Sequence, residues 1–297
     1  MNSATSRIAR AIVALTAMLT ANVGSSEVYW PPIADPPTGL QLQGKWVWAE
    51  LITRDVGLAA EFYGRVFGWT FETFGPENDL ETYTLVLANG EPIGGMLYDR
   101  SDKPTQKSAR WVGLISVADA KAAREQVERG GGRTLVKPRK FGARGEAALF
   151  TDPEGAMFGV IRSASGDPED WLGAENTWLW AELWADDPLA MGSFYQSIGA
   201  YELLRDPFPQ ARGVFHLASA GYARAGIRAK PIDVPSTWIP YVRVADVERI
   251  VSLARAAGAQ VVMEPVRVRG TTAALLLDPS GAPFAVAEWP ASPGDAP

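Results

Sequence analysis

The chain has no cysteine and one histidine, His216, in 297 residues. Without cysteine there is no disulfide to staple the fold and no thiolate to hold zinc. A cysteine-linked lipid anchor is excluded too, so stability must come from packing. A single imidazole cannot build the multi-histidine sets that transition metals favour. It also leaves the serines without an activating base nearby, which argues against a serine hydrolase. A bilayer-spanning run is missing: the apolar stretch at residues 11–20 falls short of the about 20 residues a spanning helix needs. No basic stripe is present. Lys and Arg total 28 against 34 Asp and Glu, the net charge is −6 and the pI is near 5. Nucleic acid is therefore not expected as a partner.

What is present is a repeat. Trp46-Val47-Trp48-Ala49-Glu50-Leu51 returns 132 residues later as Trp178-Leu179-Trp180-Ala181-Glu182-Leu183. Asp55 maps to Asp187, and Phe62-Tyr63 to Phe194-Tyr195, at the same offset. Farther on, Asp152-Pro153-Glu154-Gly155 returns as Asp278-Pro279-Ser280-Gly281 at an offset of 126, so the second copy is about six residues shorter in a loop. A period near 130 is too long for a solenoid unit and fits a duplicated globular domain.

The start of the chain reads differently. Arg7 and Arg10 precede the apolar run, and small residues follow through Ser26. That is the layout of a secretory signal peptide over residues 1–25, cleaved between Ala21 and Ser26. The mature protein is expected to be exported, to the periplasm or the medium, with no membrane span. A Pro-rich linker covers 26–45, the first domain 46–163, a second linker 164–176, the second domain 177–290 and a tail 291–297. Each domain reads as two βαβββ rounds. Asp55, Asp119, Asp187 and Asp246 cap the helices, and Gly68, Gly130 and Gly258 stop three of them. Asn89-Gly90 marks a hairpin. Gly130-Gly131-Gly132 is a helix stop and not a phosphate loop, because no strand-to-helix entry follows it.

Paired βαβββ rounds, Phe-Tyr followed by Gly and an aromatic (Phe62-Tyr63 and Gly68-Trp69), and the Asp-Pro-x-Gly turn before a last strand resemble one family. It is the vicinal oxygen chelate superfamily, also called glyoxalase/bleomycin-resistance/dioxygenase. The resemblance implies an α+β fold: two tandem domains, each of paired βαβββ modules forming a curled, cup-like sheet. In metal-using members a divalent ion sits in the cup. Its ligands come from the first strand of each round and a Glu on the last strand. Counting from the capping and turn aspartates, those positions carry Trp48, Val112 and Gly159 in the first copy, and Trp180, Ile239 and Ala285 in the second. None of these side chains offers a ligand atom, so neither a metal nor another cofactor is expected.

Strand alternation puts Trp46 and Glu50 on the face of Trp48, and Trp178 and Glu182 on the face of Trp180. Aromatic walls with one carboxylate suit a small-molecule ligand. They equally suit tryptophans that plug a degenerate cup. Tyr241 and Arg243 follow Ile239 by two and four residues and share its face, where Arg243 can pair with Glu182. The first-copy counterparts are Leu114 and Ser116, so the second cup is the more polar one. The candidate ligand-binding residues are Trp48, Glu50, Trp180, Glu182, Tyr241 and Arg243. A lone histidine is more often structural than catalytic; the first-copy counterpart of His216 falls near Thr84. The expected function is metal-independent small-molecule binding. The alternatives are lyase or isomerase chemistry with displaced ligands or a carboxylate base, and a non-catalytic scaffold.

Overall fold

The computed structural model describes residues 29–75, 82–99, 109–170, 172–208, 213–268 and 270–289. The signal peptide, its cleavage window and the tail 291–297 lie outside the described residues.

The first repeat supplies β1 (Trp46–Thr53), α1 (Val56–Phe67), β2 (Thr70–Phe74), β3 (Tyr83–Ala88), β4 (Glu91–Tyr98), β5 (Arg110–Ser116), α2 (Ala120–Arg129), β6 (Arg133–Phe141), β7 (Gly145–Thr151) and β8 (Met157–Ser163). The second supplies β9 (Trp178–Ala185), α3 (Pro188–Gly199), β10 (Glu202–Arg205), β11 (Phe215–Ser219), β12 (Tyr222–Ala229), β13 (Thr237–Val244), α4 (Val247–Ala256), β14 (Gln260–Val268), β15 (Thr271–Leu277) and β16 (Pro283–Glu288). Each repeat makes one eight-stranded sheet. The orders are β2-β3-β4-β1-β5-β8-β7-β6 and β10-β11-β12-β9-β13-β16-β15-β14. Both sheets are mixed: β5 runs parallel to β8, and β12 parallel to β9. The fold is α+β, as the repeat and its resemblance led one to expect.

The helices start and stop where the sequence placed the signals. Asp55 accepts from Leu58 N at 2.8 Å, and Gly68 closes α1 at φ 73°, in the left-handed region that glycine enters without strain. Asp119, Asp187 and Asp246 cap α2, α3 and α4 in the same way. Asn89 and Gly90 both take positive φ, as a tight hairpin turn requires.

Two compact units cut across the repeats. One joins Glu50–Trp111 to Asp246–Glu288; the other joins Pro31–Ala49 to Val112–Ala245. In the first unit α1 buries Ala59, Phe62, Tyr63, Val66 and Phe67, a spacing that lines one helical face. Each large side chain so buried contributes about 1.5–3 kcal/mol. Tyr63 donates to Asp278 Oδ2 at 3.1 Å and accepts from Trp111 Nε1 at 2.7 Å. The second unit builds the same triad from Tyr195, Asp152 and Trp238, at 3.0 and 2.9 Å. Asp152 and Asp278 also accept from backbone N–H groups of their own turns. The Phe-Tyr motif and the Asp-Pro-x-Gly turn are thus two ends of one hydrogen bond, with each end supplied by a different repeat.

Residues 34–45 carry no helix or strand, yet they are tied down. Thr38 and Gly39 donate backbone N–H to Ser165 O, Leu42 N donates to Asp167 Oδ2 at 2.6 Å, and Lys45 reaches Asp170 at 3.0 Å. Arg224 grips the same Asp170 at 2.8 Å. Among the described residues, no helix is long and apolar enough to cross a membrane.

Candidate functional site

β9 alternates between two faces. Ala181, Leu183 and Ala185 join the apolar core with Met191, Tyr195 and Leu217. Trp180, Glu182 and Trp184 stand on the opposite face and remain partly exposed. Register then fixes a row of neighbours on that open face. Leu204 pairs with His216, His216 with Gly226, Gly226 with Glu182, and Glu182 with Ile239. One row over, Arg228 pairs with Trp184; on the other side, Tyr241 pairs with Trp180.

Glu182 is the centre of this face. Its Oε1 accepts from Trp184 Nε1 at 3.0 Å and from Tyr241 Oη at 3.3 Å, and lies 3.6 Å from Arg228 Nη1. Among the described residues, the hydrogen bonds to Glu182 fall on Oε1 and not on Oε2. It lies on the Gly226 side, 3.5 Å from where a Cβ on that glycine would stand. Trp180 Nε1 lies 3.2 Å from the same point. The Trp180 indole and the Glu182 side chain thus lie over Gly226, where glycine allows their close approach. Burial, then the charge of Glu182, pushes the Tyr241 phenol well above its ordinary pKa, so it stays a donor. On β11, His216 Nε2 sits 3.1 Å from Asp206 Oδ2, while its Nδ1 is buried with no partner. The His216 ring lies 6.1 Å from Trp180.

Two sequence expectations need correcting. Trp46 and Trp178 do not share the face of Trp48 and Trp180. Register slips between Tyr241 and Val242, so that Val242 pairs with Trp178 and Leu179 is skipped. A bulge moves every residue beyond it to the other face. Trp46 lies on that other face as well, 4.6 Å from the Trp238 ring and directly over Gly113. Arg243 is not the partner of Glu182. It donates to Trp289 O at 3.0 Å and Gly173 O at 2.7 Å, and Arg228 is the cation beside the carboxylate. His216 aligns by register with Leu85, next to Thr84: Leu85 pairs with Gly95 as His216 pairs with Gly226. Trp184 was legible from the same alternation that gave Trp180 and Glu182. Arg228 carried no repeat signal.

The first-copy residues sit in closed surroundings. Glu50 accepts from Tyr83 Oη through both oxygens, at 3.1 and 3.2 Å, and Trp30 packs on the Tyr83 ring at 5.0 Å. Trp48 is buried under the Arg144 guanidinium, 4.5 Å above its ring, and Arg144 donates to Pro31 O at 3.0 Å. The six positions that hold a metal in metal-using relatives do not fit one here. Val112, Ile239 and Ala285 are buried hydrocarbon, and the Leu114 side chain fills the space over Gly159. Among the described residues, one group of three carboxylates comes within 4.8 Å: Asp246, Glu248 and Glu288, at the start of α4. Glu288 there accepts from Val247 N.

Two sheets of paired βαβββ modules are the architecture that the glyoxalase fold builds. Residues 45–160 form a domain of the Glyoxalase/Bleomycin resistance protein/Dioxygenase superfamily, and the second repeat rebuilds the same architecture. The chain is 29% identical over 248 residues to the "Putative glyoxylase CFP32" of Mycobacterium tuberculosis, covering 82% of this chain and 94% of that one. It is 28% identical over 278 residues to the anthracycline biosynthesis protein DnrV of Streptomyces peucetius, covering 85% and 98%. A solved Mn(II)-bound glyoxalase from Novosphingobium aromaticivorans shares the fold, with a TM-score of 0.57, 17% identity and coverage of 84% and 83%.

Proposed function

We propose that this protein is exported and binds a planar, hydroxylated small molecule on the open face of β9–β13, without a metal at the family's positions. The observation that carries this reading is Glu182. Its hydrogen bonds fall on Oε1, and it stands with Trp180 and Trp184 on the partly exposed face of β9. Partly exposed tryptophans offer flat apolar surface, and a carboxylate accepts from hydroxyl or ammonium groups. Two similar proteins, DauV and DnrV, are named for anthracycline biosynthesis, which supports a fused-ring ligand.

The test is calorimetric titration with an anthracycline. Wild type binds. Glu182→Gln weakens binding roughly tenfold or more, because a hydrogen bond to a charged group contributes about 1.5–3 kcal/mol. Absence of heat and of any melting shift in wild type would remove the reading and leave a scaffold. Export is tested separately. N-terminal sequencing of envelope-fraction protein should find a start between Asn22 and Glu27. An intact Met1 in the cytoplasm would overturn it.

A further inference from the structure

Tyr29-Trp30-Pro31-Pro32-Ile33 precedes β1 and belongs to no helix or strand. Pro31 and Pro32 have no N–H to give to a sheet edge, so side chains hold the segment. The Trp30 indole packs on the Tyr83 ring, with centroids 5.0 Å apart at 49°. Tyr29 packs on Phe74 at 4.8 Å. We propose that Trp30 is an internal ligand. It fills a binding site for a small flat aromatic molecule on the Tyr83–Glu50 pair, and such a molecule gains the site by displacing it. The inference concerns the first copy and does not depend on ligand binding at Glu182.

The platform under Trp30 is made by the sheet. Tyr83 on β3 is buried, and its hydroxyl donates to Glu50 on β1. β4 lies between those strands, and Gly95 on it leaves room for the phenol. The second copy also sets a phenol on its glutamate, with Tyr241 donating to Glu182. Among the described residues, no ring packs on Tyr241 as Trp30 packs on Tyr83. A phenol–carboxylate pair therefore stands in this fold without an aromatic cover, and Trp30 is an addition to it.

The cover is fastened so that its ring can leave. Trp30 is partly exposed and Tyr29 is exposed. The residues after them are anchored separately. Arg144 donates to Pro31 O at 3.0 Å, Ile33 is buried, and Ala34 N donates to Ser165 Oγ at 3.0 Å. Tyr29 and Trp30 can swing out while Pro31 stays in place. The space so vacated admits a ring and not a second peptide backbone, so the ligand class is a free aromatic molecule of about indole size. Tilted ring pairs attract beyond the area they bury, and an incoming ring recovers the contact that Trp30 gives up. A resident competitor lowers the apparent affinity by the fraction of time the site is free.

The probe is indole, added to the full chain. In calorimetric titration, Trp30→Ala should bind it roughly tenfold or more tightly than wild type does, because the competitor is gone. Tyr83→Leu placed in the Trp30→Ala chain should lose that gain. In wild type labelled with 5-fluorotryptophan, the Trp30 fluorine resonance is assigned by its loss in Trp30→Phe. Rising indole should move that resonance to the position of a solvent-exposed indole. Equal indole affinity in wild type and Trp30→Ala overturns the inference. So does a Trp30 resonance that stays fixed up to saturated indole, for Trp30 is then a permanent part of the core. The fluorine readout uses the native side chain, so it decides the question even if Trp30→Ala does not fold. If indole displaces Trp30 while wild type fails to bind the anthracycline, the Glu182 reading falls and this one stands; the reverse result removes this one alone.

Discussion

β1 and β9 carry one pattern, Trp-x-Trp-Ala-Glu-Leu, and end in opposite states. On β1 the glutamate is buried and both of its oxygens face the Tyr83 hydroxyl. On β9 it is partly exposed, and its three contacts crowd onto one oxygen. The strand is not the cause. The difference lies two strands away. Leu85 and His216 each pair with the glycine beside the glutamate, so β3 and β11 align one residue off the 132-residue offset. Tyr83 then stands where the second copy has Val214, and the phenol that reaches Glu182 comes instead from Tyr241 on β13, onto Oε1. A Cβ on Gly95 would lie 1.9 Å from Tyr83 Oη, whereas on Gly226 the nearest atom is 3.2 Å away. Arg144, which covers Trp48, maps at the 126-residue offset to Gly270. Duplication copied the carboxylate; the neighbouring strands decided whether it is sealed or open.

The largest effect should come from what the two units share. Burial, offset in part by turn N–H groups and the Tyr195 hydroxyl, raises Asp152 to about 6. Between roughly pH 4 and 6 the folded chain holds a proton that the unfolded chain has released. Stability from this group is therefore present at low pH and lost as pH rises through about 6. The linked change is about 3 kcal/mol at 1.36 kcal/mol per unit. Asp152→Asn should flatten that slope in melting curves taken across the window; an unchanged slope would remove Asp152 as its source. Asp278 is raised by burial in the same direction, so Asp278→Asn should change the slope with the same sign.

The glycine pair breaks the symmetry. Gly95→Ala forces a methyl into the Tyr83 ring and the Glu50 carboxylate, and should cost about 1–3 kcal/mol as overpacking. Gly226→Ala meets only ordinary to tight contacts, with the Trp180 indole and the Glu182 side chain, and should leave the thermal midpoint nearly unchanged. Equal losses of stability in the two variants would refute the contrast between sealed and open faces. The smallest effect tests sameness again. Trp111→Phe and Trp238→Phe each remove one indole donor to a buried tyrosine, at about 0.5–1.5 kcal/mol each. Similar chemical-denaturation losses are expected; a large disparity would mean the two tyrosine–aspartate triads are not equivalent.

Local chemistry was legible. The capping aspartates, the Gly68 stop, the Asn89-Gly90 hairpin and the βαβββ order each depend on a few consecutive residues, and all four were readable. The face shared by Trp180 and Glu182 was readable for the same reason. The bulge at Leu179 was not, because it depends on the partner strand β13, and it carried Trp178 to the other face. Nor did the sequence say that Arg243 would spend its donors on the carbonyls of Trp289 and Gly173. Long cationic side chains reach several partners, and only packing selects one.

The sequence by itself determined a duplicated α+β chain with a glutamate and a tryptophan at matched positions and no metal donors where relatives keep them. Tertiary structure alone decided that Tyr63 would meet Asp278 and Tyr195 would meet Asp152, each bond joining the two repeats. It also decided that His216, Gly226 and Glu182 would form one row. Propensity and capping act within a turn of chain, and sequence states them directly. Register and burial are set jointly by segments tens to hundreds of residues apart, so they exist only once those segments have packed.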